Sequence, residues 1–498
     1  MADKIRYVST DTTKMTDEDG KLIINLLWGD SVKVISEKDG WLYVKARGRN
    51  GYVNADDIGD NPVLEVYFID VGQGDGVLIV TPERKHILID GGYTRTKQPH
   101  GKSAADFIDW KFKKDYGKDT IHLDAMISSH NDADHYGGLW DLLNKTPAAQ
   151  KELNCDNVVV DKFYHAGVSW WETSTVVNGK TKKARTIGAE SEHIWRLIDT
   201  ETSIKKGLNG TLYNGYKLQG EWAEFMKCIV ADNIPAKRLA YKPGKDFKYV
   251  DGFGENDTVQ LKVLGPIEFK AGQKPALSNL KSDSQNTNGN SLLLRLDYGS
   301  VRILLTGDLN KKSQNIIYEA YEGQRQELSA DVIKGCHHGS DDCSFRFLET
   351  VHAAATVISS GDDESHAHPR PNIVAASGIS GYKTIDKDDL ITPLVYSTEI
   401  ARSVRLGTPV KLVCKCGGET VETDIDDDTE DIKIHYTHTP SGALKPISKS
   451  KTLNSRMKVV DGFVYGLVNV RTDGKNILMA TLNENGDKWD IKKFKSRF

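Results

Sequence analysis

The sequence predicts an α/β protein with a small all-β unit ahead of its main domain and a β-rich appendage behind it. Three observations carry this. Short apolar runs recur between residues 61 and 404, several followed by helical patterns. Residues 5 to about 58 hold only β-type runs split by glycine turns, and further β-type runs fill the stretch beyond 405. The expected units are therefore 1–60, 61–404 with an insertion over about 168–285, and 405–498.

Composition narrows the class. With 38% hydrophobic and 27% charged residues in 498, the chain is globular and not disordered or fibrous. A net charge of −4 makes no global case for nucleic acid, although it permits a local basic face. The first ten residues lack the apolar stretch of a secretory signal, and no run nears the roughly 18 apolar residues of a membrane span. A cytoplasmic protein is the expectation. Six cysteines without a C-x-x-C pair fit reduced thiols, and Cys414-Lys415-Cys416 reads as ordinary strand or turn sequence.

In the first unit, runs at 22–27, 31–35 and 41–45 are separated by Gly-Asp, Asp-Gly and Gly-Arg-Asn-Gly turns. Gly29-Asp30, Val32-Lys33-Val34, Gly40-Trp41-Leu42-Tyr43-Val44 and Gly51-Tyr52-Val53 resemble a bacterial Src-homology-like barrel. That resemblance implies binding of peptides or other polymers; the plainer alternative is packing on the next unit.

After Asp60-Asn61-Pro62 the main domain opens with a strand at 64–69, the loop Asp70-Val71-Gly72-Gln73-Gly74-Asp75-Gly76, and strands at 77–80 and 86–89 ending in Asp90-Gly91-Gly92. Asp75 and Asp90 read as structural carboxylates or as partners that orient metal-bound imidazoles. A helix is predicted over about 103–116. The densest stretch follows an apolar run at 123–128: His130-Asn131-Asp132-Ala133-Asp134-His135 packs two histidines and two carboxylates into six residues before a helix-opening Gly137-Gly138. Alternation points His130 and Asp132 the same way, while Asp134 and His135 diverge, so one loop can serve two adjacent metals.

The remaining strands each end in a polar cluster. A strand over 156–162 leads to His165, by itself either a structural histidine or a third ligand beside His130 and Asp132. The stretch 168–285 contains Trp170-Trp171, a basic run from Lys180 to Arg185 and a helical pattern near 190–206; the basic run suits either a polyanion or solvent. Strands at 290–296 and 301–305 end at Thr306-Gly307-Asp308, where Asp308 is either a helix cap or a ligand. Strands at 330–335 and 355–359 run into Cys336-His337-His338-Gly339-Ser340 and Ser365-His366-Ala367-His368-Pro369. Seven of the 14 histidines fall in these clusters, each just beyond a strand, which is the pattern of a metal site at one edge of a sheet. Strand-like runs at 410–414, 432–436, 459–465 and 477–481, with an acidic loop at 424–431, make up the tail.

Together, Phe68-Ile69-Asp70-Val71-Gly72-Gln73-Gly74-Asp75, His130-x-Asp132-x-Asp134-His135-x-Gly137-Gly138, Leu305-Thr306-Gly307-Asp308, His337-His338-Gly339-Ser340 and His368-Pro369 resemble the metallo-β-lactamase fold in its ComEC-like branch. Asp132 stands where the general family has a histidine, a change that branch shares. The resemblance implies an αββα sandwich with two divalent metals, zinc or, given the harder ligand at 132, manganese. By that resemblance His130 and Asp132, with His165 as a candidate, hold the first metal. Asp134, His135 and one of His337 or His338 hold the second, Asp308 bridges, and His368 sits at the mouth. Asp134, Asp308, His338 and His368 are the expected catalytic groups. Two close metals acidify a shared water, so the expected activity is hydrolysis of a phosphodiester or nucleotide. Hydrolysis of another ester, lactone or amide, and a non-catalytic metal-containing binding module, are the alternatives.

Overall fold

The computed structural model describes residues 4–98, 102–177, 180–360, 368–398, 403–416, 418–425, 432–438, 447–453, 459–464, 466–482 and 488–498. Of the expected features, His366 and most of the acidic loop lie outside these residues.

The N-terminal unit is one seven-stranded antiparallel sheet of β1 (Lys4–Val8), β2 (Thr12–Thr16), β3 (Leu22–Leu27), β4 (Ser31–Lys38), β5 (Trp41–Ala46), β6 (Arg49–Asn54) and β7 (Ile58–Gly59), in the order β3-β2-β6-β5-β4-β1-β7. Strict alternation in β5 and β6 buries Leu42, Val44, Gly51 and Val53 and turns Trp41, Tyr43, Tyr52 and Asn54 outward.

The main domain has two sheets. Its strands in chain order are β8 (Leu64–Ile69), β9 (Val77–Val80), β10 (His86–Ile89), β11 (Ala125–Ser128), β12 (Phe163–His165), β13 (Ala236–Arg238), β14 (Val259–Gly265), β15 (Leu293–Tyr298), β16 (Val301–Leu305), β17 (Val332–Lys334), β18 (Ala355–Ile358), β19 (Leu394–Ser397), β20 (Leu467–Thr472), β21 (Asn476–Leu482) and β22 (Trp489–Lys495). The first sheet runs β13-β12-β11-β10-β9-β8-β20-β21-β22, and the second runs from Lys248–Tyr249 through β14, β15, β16, β17 and β18 to β19. Their inner faces share one core, with Phe68, Ile79, Ile87 and Ile127 meeting Leu261, Leu294, Ile303 and Val357.

Helices cover both outer faces. α1 (Ala104–Trp110), α2 (Ala133–Leu143) and α3 (Gly220–Ala231) pack Ile108, Leu139 and Phe225 on the first sheet. α4 (Lys311–Ala320), α5 (Phe345–Val351) and α6 (Pro371–Ser380) pack Ile317, Phe347 and Ile373 on the second. This is the expected αββα sandwich. Strands β10 to β13 and β16 to β19 are parallel, so their C-terminal ends lie together at one edge.

Two expected boundaries are corrected. The strands beyond 405 are present, but three of them are not an appendage: β20 pairs antiparallel with β8 over six residues, from Leu467 opposite Ile69 to Thr472 opposite Leu64, and β21 and β22 extend the sheet. Val468 and Val470 are fully buried in the shared core, which is why this segment cannot stand apart. Likewise, the stretch 168–285 is only partly an insertion, since α3, β13 and β14 within it are core elements. Its helix begins at Glu201, not near 190, behind a Thr200 cap.

Candidate metal centre

Strand β11 ends at Ser128 and turns at Ser129, whose backbone N–H donates to Asp90 Oδ1 at 2.7 Å, so the tip of β10 fixes the start of the His130 loop. Asp132 is the residue before α2, and Asp134 and His135 occupy that helix's first turn. The glycine loop after β8 lies against this turn. A Cβ on Gly74 would stand 1.9 Å from the Asp134 carbonyl, so only glycine permits the approach that brings Asp75 in. From the second sheet, β16 delivers Asp308 and β17 delivers Lys334, His337 and His338. Both histidines adopt left-handed backbone, with φ of 46° and 52°, an uncommon conformation that signals a constrained loop.

These ends converge. One ligand atom each from Asp75, His135, Asp308 and His338 lies within 4.8 Å of the other three, and all four residues are buried. His338 Nε2 is 2.9 Å and His135 Nε2 3.3 Å from Asp308 Oδ2. Asp134 Oδ2 is 3.7 Å from His338 Nε2. His130 packs at a tilt on His135, 4.0 Å centroid to centroid, and places Nε2 3.7 Å from Asp132 Oδ2. The outer partners orient the rings: His135 Nδ1–H donates to Asp90 Oδ2 at 2.9 Å, and His338 Nδ1–H donates to the Ser359 carbonyl at 3.1 Å. Thr287 Oγ1–H donates to Asp132 at 2.8 Å. Nε2 of His130, His135 and His338 and Oδ1 of Asp75 and Asp308 are then buried without a hydrogen-bond partner. Buried polar atoms are seldom left so, and four of these five residues are the ones whose ligand atoms converge, which fits a cation.

The electrostatics agree. Burial opposes charge on His338, but Asp308 and Asp75 overcome it and lift the imidazole to about 10. His135 is raised in the same way, against burial, by Asp308 and Asp90. Burial, with Asp134 beside it, pushes Asp132 up to about 7. Protons are thus retained where carboxylates crowd, and a divalent cation competes for the same field. Lys334 already neutralises part of it: this buried ammonium pairs with Asp75, donates to the Gly307 carbonyl at 2.9 Å and stands 3.5 Å from Asp308.

Of the residues expected from the sequence, His130, Asp132, Asp134, His135, Asp308 and His338 are brought together. His338, not His337, enters the tight cluster; His337 turns to the cavity, where its Nε2 is 3.1 Å from Asn288 Nδ2. His368 meets His337 edge to face, 5.8 Å between ring centroids, and lines the same cavity. His165 ends β12 opposite Ser128, stacked on Phe163, and is not one of the four converging residues; burial, then Arg238, lowers it to about 3. Sequence reasoning placed Asp75 only in a supporting role and passed over Lys334, Thr287 and Asn288. The glycine-rich loop was a usable signal for Asp75, whereas nothing in Val332-Ile333-Lys334 marks that lysine.

The cluster opens into a cavity of about 660 Å³ lined by Asp132, Asp134, Asp308, His337 and His368 and, on the far wall, Trp170 and Arg185. The Arg185 guanidinium lies 3.5 Å over the Trp170 ring, a cation held by a π face.

A two-sheet sandwich with helices outside and a His/Asp cluster at the strand ends is the architecture that the metallo-β-lactamase resemblance implied. The model of the Metallo-beta-lactamase superfamily matches residues 69–152, which hold the glycine loop and the His130 to His135 loop. The chain is 24% identical over 320 residues to ComE operon protein 3 of Bacillus subtilis (strain 168), covering 62% of this chain and 30% of that protein. It is 36% identical over 132 residues to Competence protein ComA of Neisseria gonorrhoeae, covering 26% of this chain and 17% of that one. The chain therefore spans less than a third of the length of either relative.

Proposed function

We propose that this protein is a metal-dependent phosphodiesterase whose substrate is a nucleic acid strand or a nucleotide. The observation that carries the reading is the set of five orphaned ligand atoms from Asp75, His130, His135, Asp308 and His338 beside a cavity walled by Arg185. In this reading His130 and Asp132, with His165 as a candidate third donor, would hold one metal. Asp134, His135 and His338 would hold a second, with Asp308 available to either. When bound, two close divalent cations acidify water and stabilise charge on the attacking and leaving oxygens.

The chain's own groups supply the rest. Asp90 holds the proton of His135 on Nδ1 and so presents Nε2 to the centre. His337, kept below its ordinary range by burial, is neutral; Asn288 Nδ2–H donates to its Nε2, which leaves its Nδ1–H to donate to a substrate oxygen. Arg185 is placed to pair with a non-bridging phosphate oxygen. The resemblance to the ComEC-like branch, with one relative named Competence protein ComA, supports a nucleic acid substrate over a lactam or lactone.

The reading is tested with protein purified without chelator. Metal analysis should find about two metals per chain. Hydrolysis of bis-p-nitrophenyl phosphate and of a short oligonucleotide should fall by a factor on the order of a thousand in Asp308→Ala. Normal activity in that variant, or turnover of a lactone panel with none of phosphodiesters, overturns it.

A further inference from the structure

The N-terminal unit carries a face with the chemistry of a polymer-binding platform. Strands β4, β5 and β6 pair so that three cross-strand rows point outward: Lys33, Lys45 and Asn50; Ser36, Tyr43 and Tyr52; Lys38, Trp41 and Asn54. These nine positions hold three lysines, three aromatic rings and no carboxylate. Trp41 is 48% exposed, and Tyr43 and Tyr52 lie 4.9 Å apart between the two lysine-bearing rows. Ile5, opposite Lys33 on β1, extends the first row and is 56% exposed. Acids border the nine positions without occupying them: Asp39 is 4.0 Å from Lys38 in full solvent, Glu37 falls on the opposite side of β4, Asp17 follows Thr16, the partner of Tyr52, and Asp56 follows Asn54 by two residues.

The basic character continues onto the main domain. Lys45 Nζ reaches Gly117, and the Gly48 turn abuts the Lys114 carbonyl, so the exposed side chains of Lys114 and Lys118 prolong the edge that Lys45 begins. An aromatic row flanked by lysines offers π faces to unpaired bases and cations to the phosphates between them. A proline-rich peptide would use the rings but give the lysines no counterpart, and a duplex would keep its bases away from the rings.

We infer that this face binds single-stranded nucleic acid, its bases stacked on Trp41, Tyr43 and Tyr52 and its phosphates on Lys38, Lys45 and the Lys114 edge. The site is distinct from the metal-bearing cavity, and the inference holds whether or not the protein hydrolyses phosphodiesters.

The test measures anisotropy of a labelled twenty-nucleotide oligothymidylate with the full chain in EDTA, so that cleavage plays no part. Expected are binding that weakens with salt, at least a tenfold loss in the double variant Trp41→Ala, Tyr52→Ala, and a shallower salt dependence in Lys45→Glu. Unchanged affinity in both face variants overturns the inference. Absence of oligonucleotide binding at low salt overturns it too, including the case where a proline-rich peptide binds instead.

Discussion

Asp30, Glu65, Arg47, Arg471 and Lys111 form one buried charge cluster in this chain; Asp75, His135, Asp308 and His338 form another. The first joins the N-terminal unit to the main domain. Asp30 meets Arg47 at 2.8 Å and Arg471 at 3.0 Å, while Glu65 meets Arg84 at 3.3 Å and Arg471 at 3.5 Å. Each carboxylate there has guanidinium partners, and the cluster is sealed beside the packing of Leu27 on Leu478 and Ala480. The second leaves ligand atoms without partners and opens on a cavity. Burial and charge are alike in the two, so neither identifies a site. What separates them is the kind of atom left over: in the first a lone donor, Arg471 Nε, and in the second carboxylate and imidazole atoms able to hold a cation.

Four experiments press on that difference. The largest effect is expected in Asp30→Ala, which strands two buried guanidiniums and should cost about 3–5 kcal/mol in denaturant unfolding. A loss under about 1 kcal/mol would mean that the closed cluster is not structural. The open cluster should instead respond to cations. Manganese or zinc at about a hundredfold over its Kd should add about 2.7 kcal/mol, and Asp308→Asn should remove that increment.

A third experiment uses a buried group in neither cluster. His86, packed 4.8 Å from Phe112, is held down to about 3, first by burial and then by Arg84. Its folded value lies below the unfolded one, so the unfolded chain takes the proton first. Its contribution is complete above about pH 6.5 and is lost as pH falls toward 3, about 2 kcal/mol by pH 5. His86→Phe should flatten that part of the stability profile measured by urea melts. The smallest effect belongs to the cavity wall. Arg185→Ala should lower kcat/KM for a phosphodiester five- to tenfold, about 1 kcal/mol, with metal content unchanged.

Much of the sandwich was legible because parallel strands read as short apolar runs and each delivers its polar residues at the same end. His130 to His135, Asp308 and His338 were visible for that reason. What could not be read is what depends on partners distant in sequence. Asp75 joins the cluster only because Gly74 lets one loop press on α2. Lys334 is an ordinary strand residue until β17 is set beside β16, where Asp308 and Gly307 meet it. The choice of His338 over His337 rests on two left-handed residues in succession, which no periodicity reveals. In the same way, alternation marks 467–472 as a strand but does not say that its partner is 64–69.

That last pairing has a consequence for how the molecule is made. On a ribosome, β8 emerges about four hundred residues before β20, and in the interval its outer edge is an unpaired row of amides and carbonyls on a strand whose six residues are all buried when folded. Such an edge is a template for the wrong neighbour, so nascent chains need either shielding or dilution until synthesis is nearly done. A polypeptide ended at residue 404 would keep every one of the converging ligands and still be expected to aggregate.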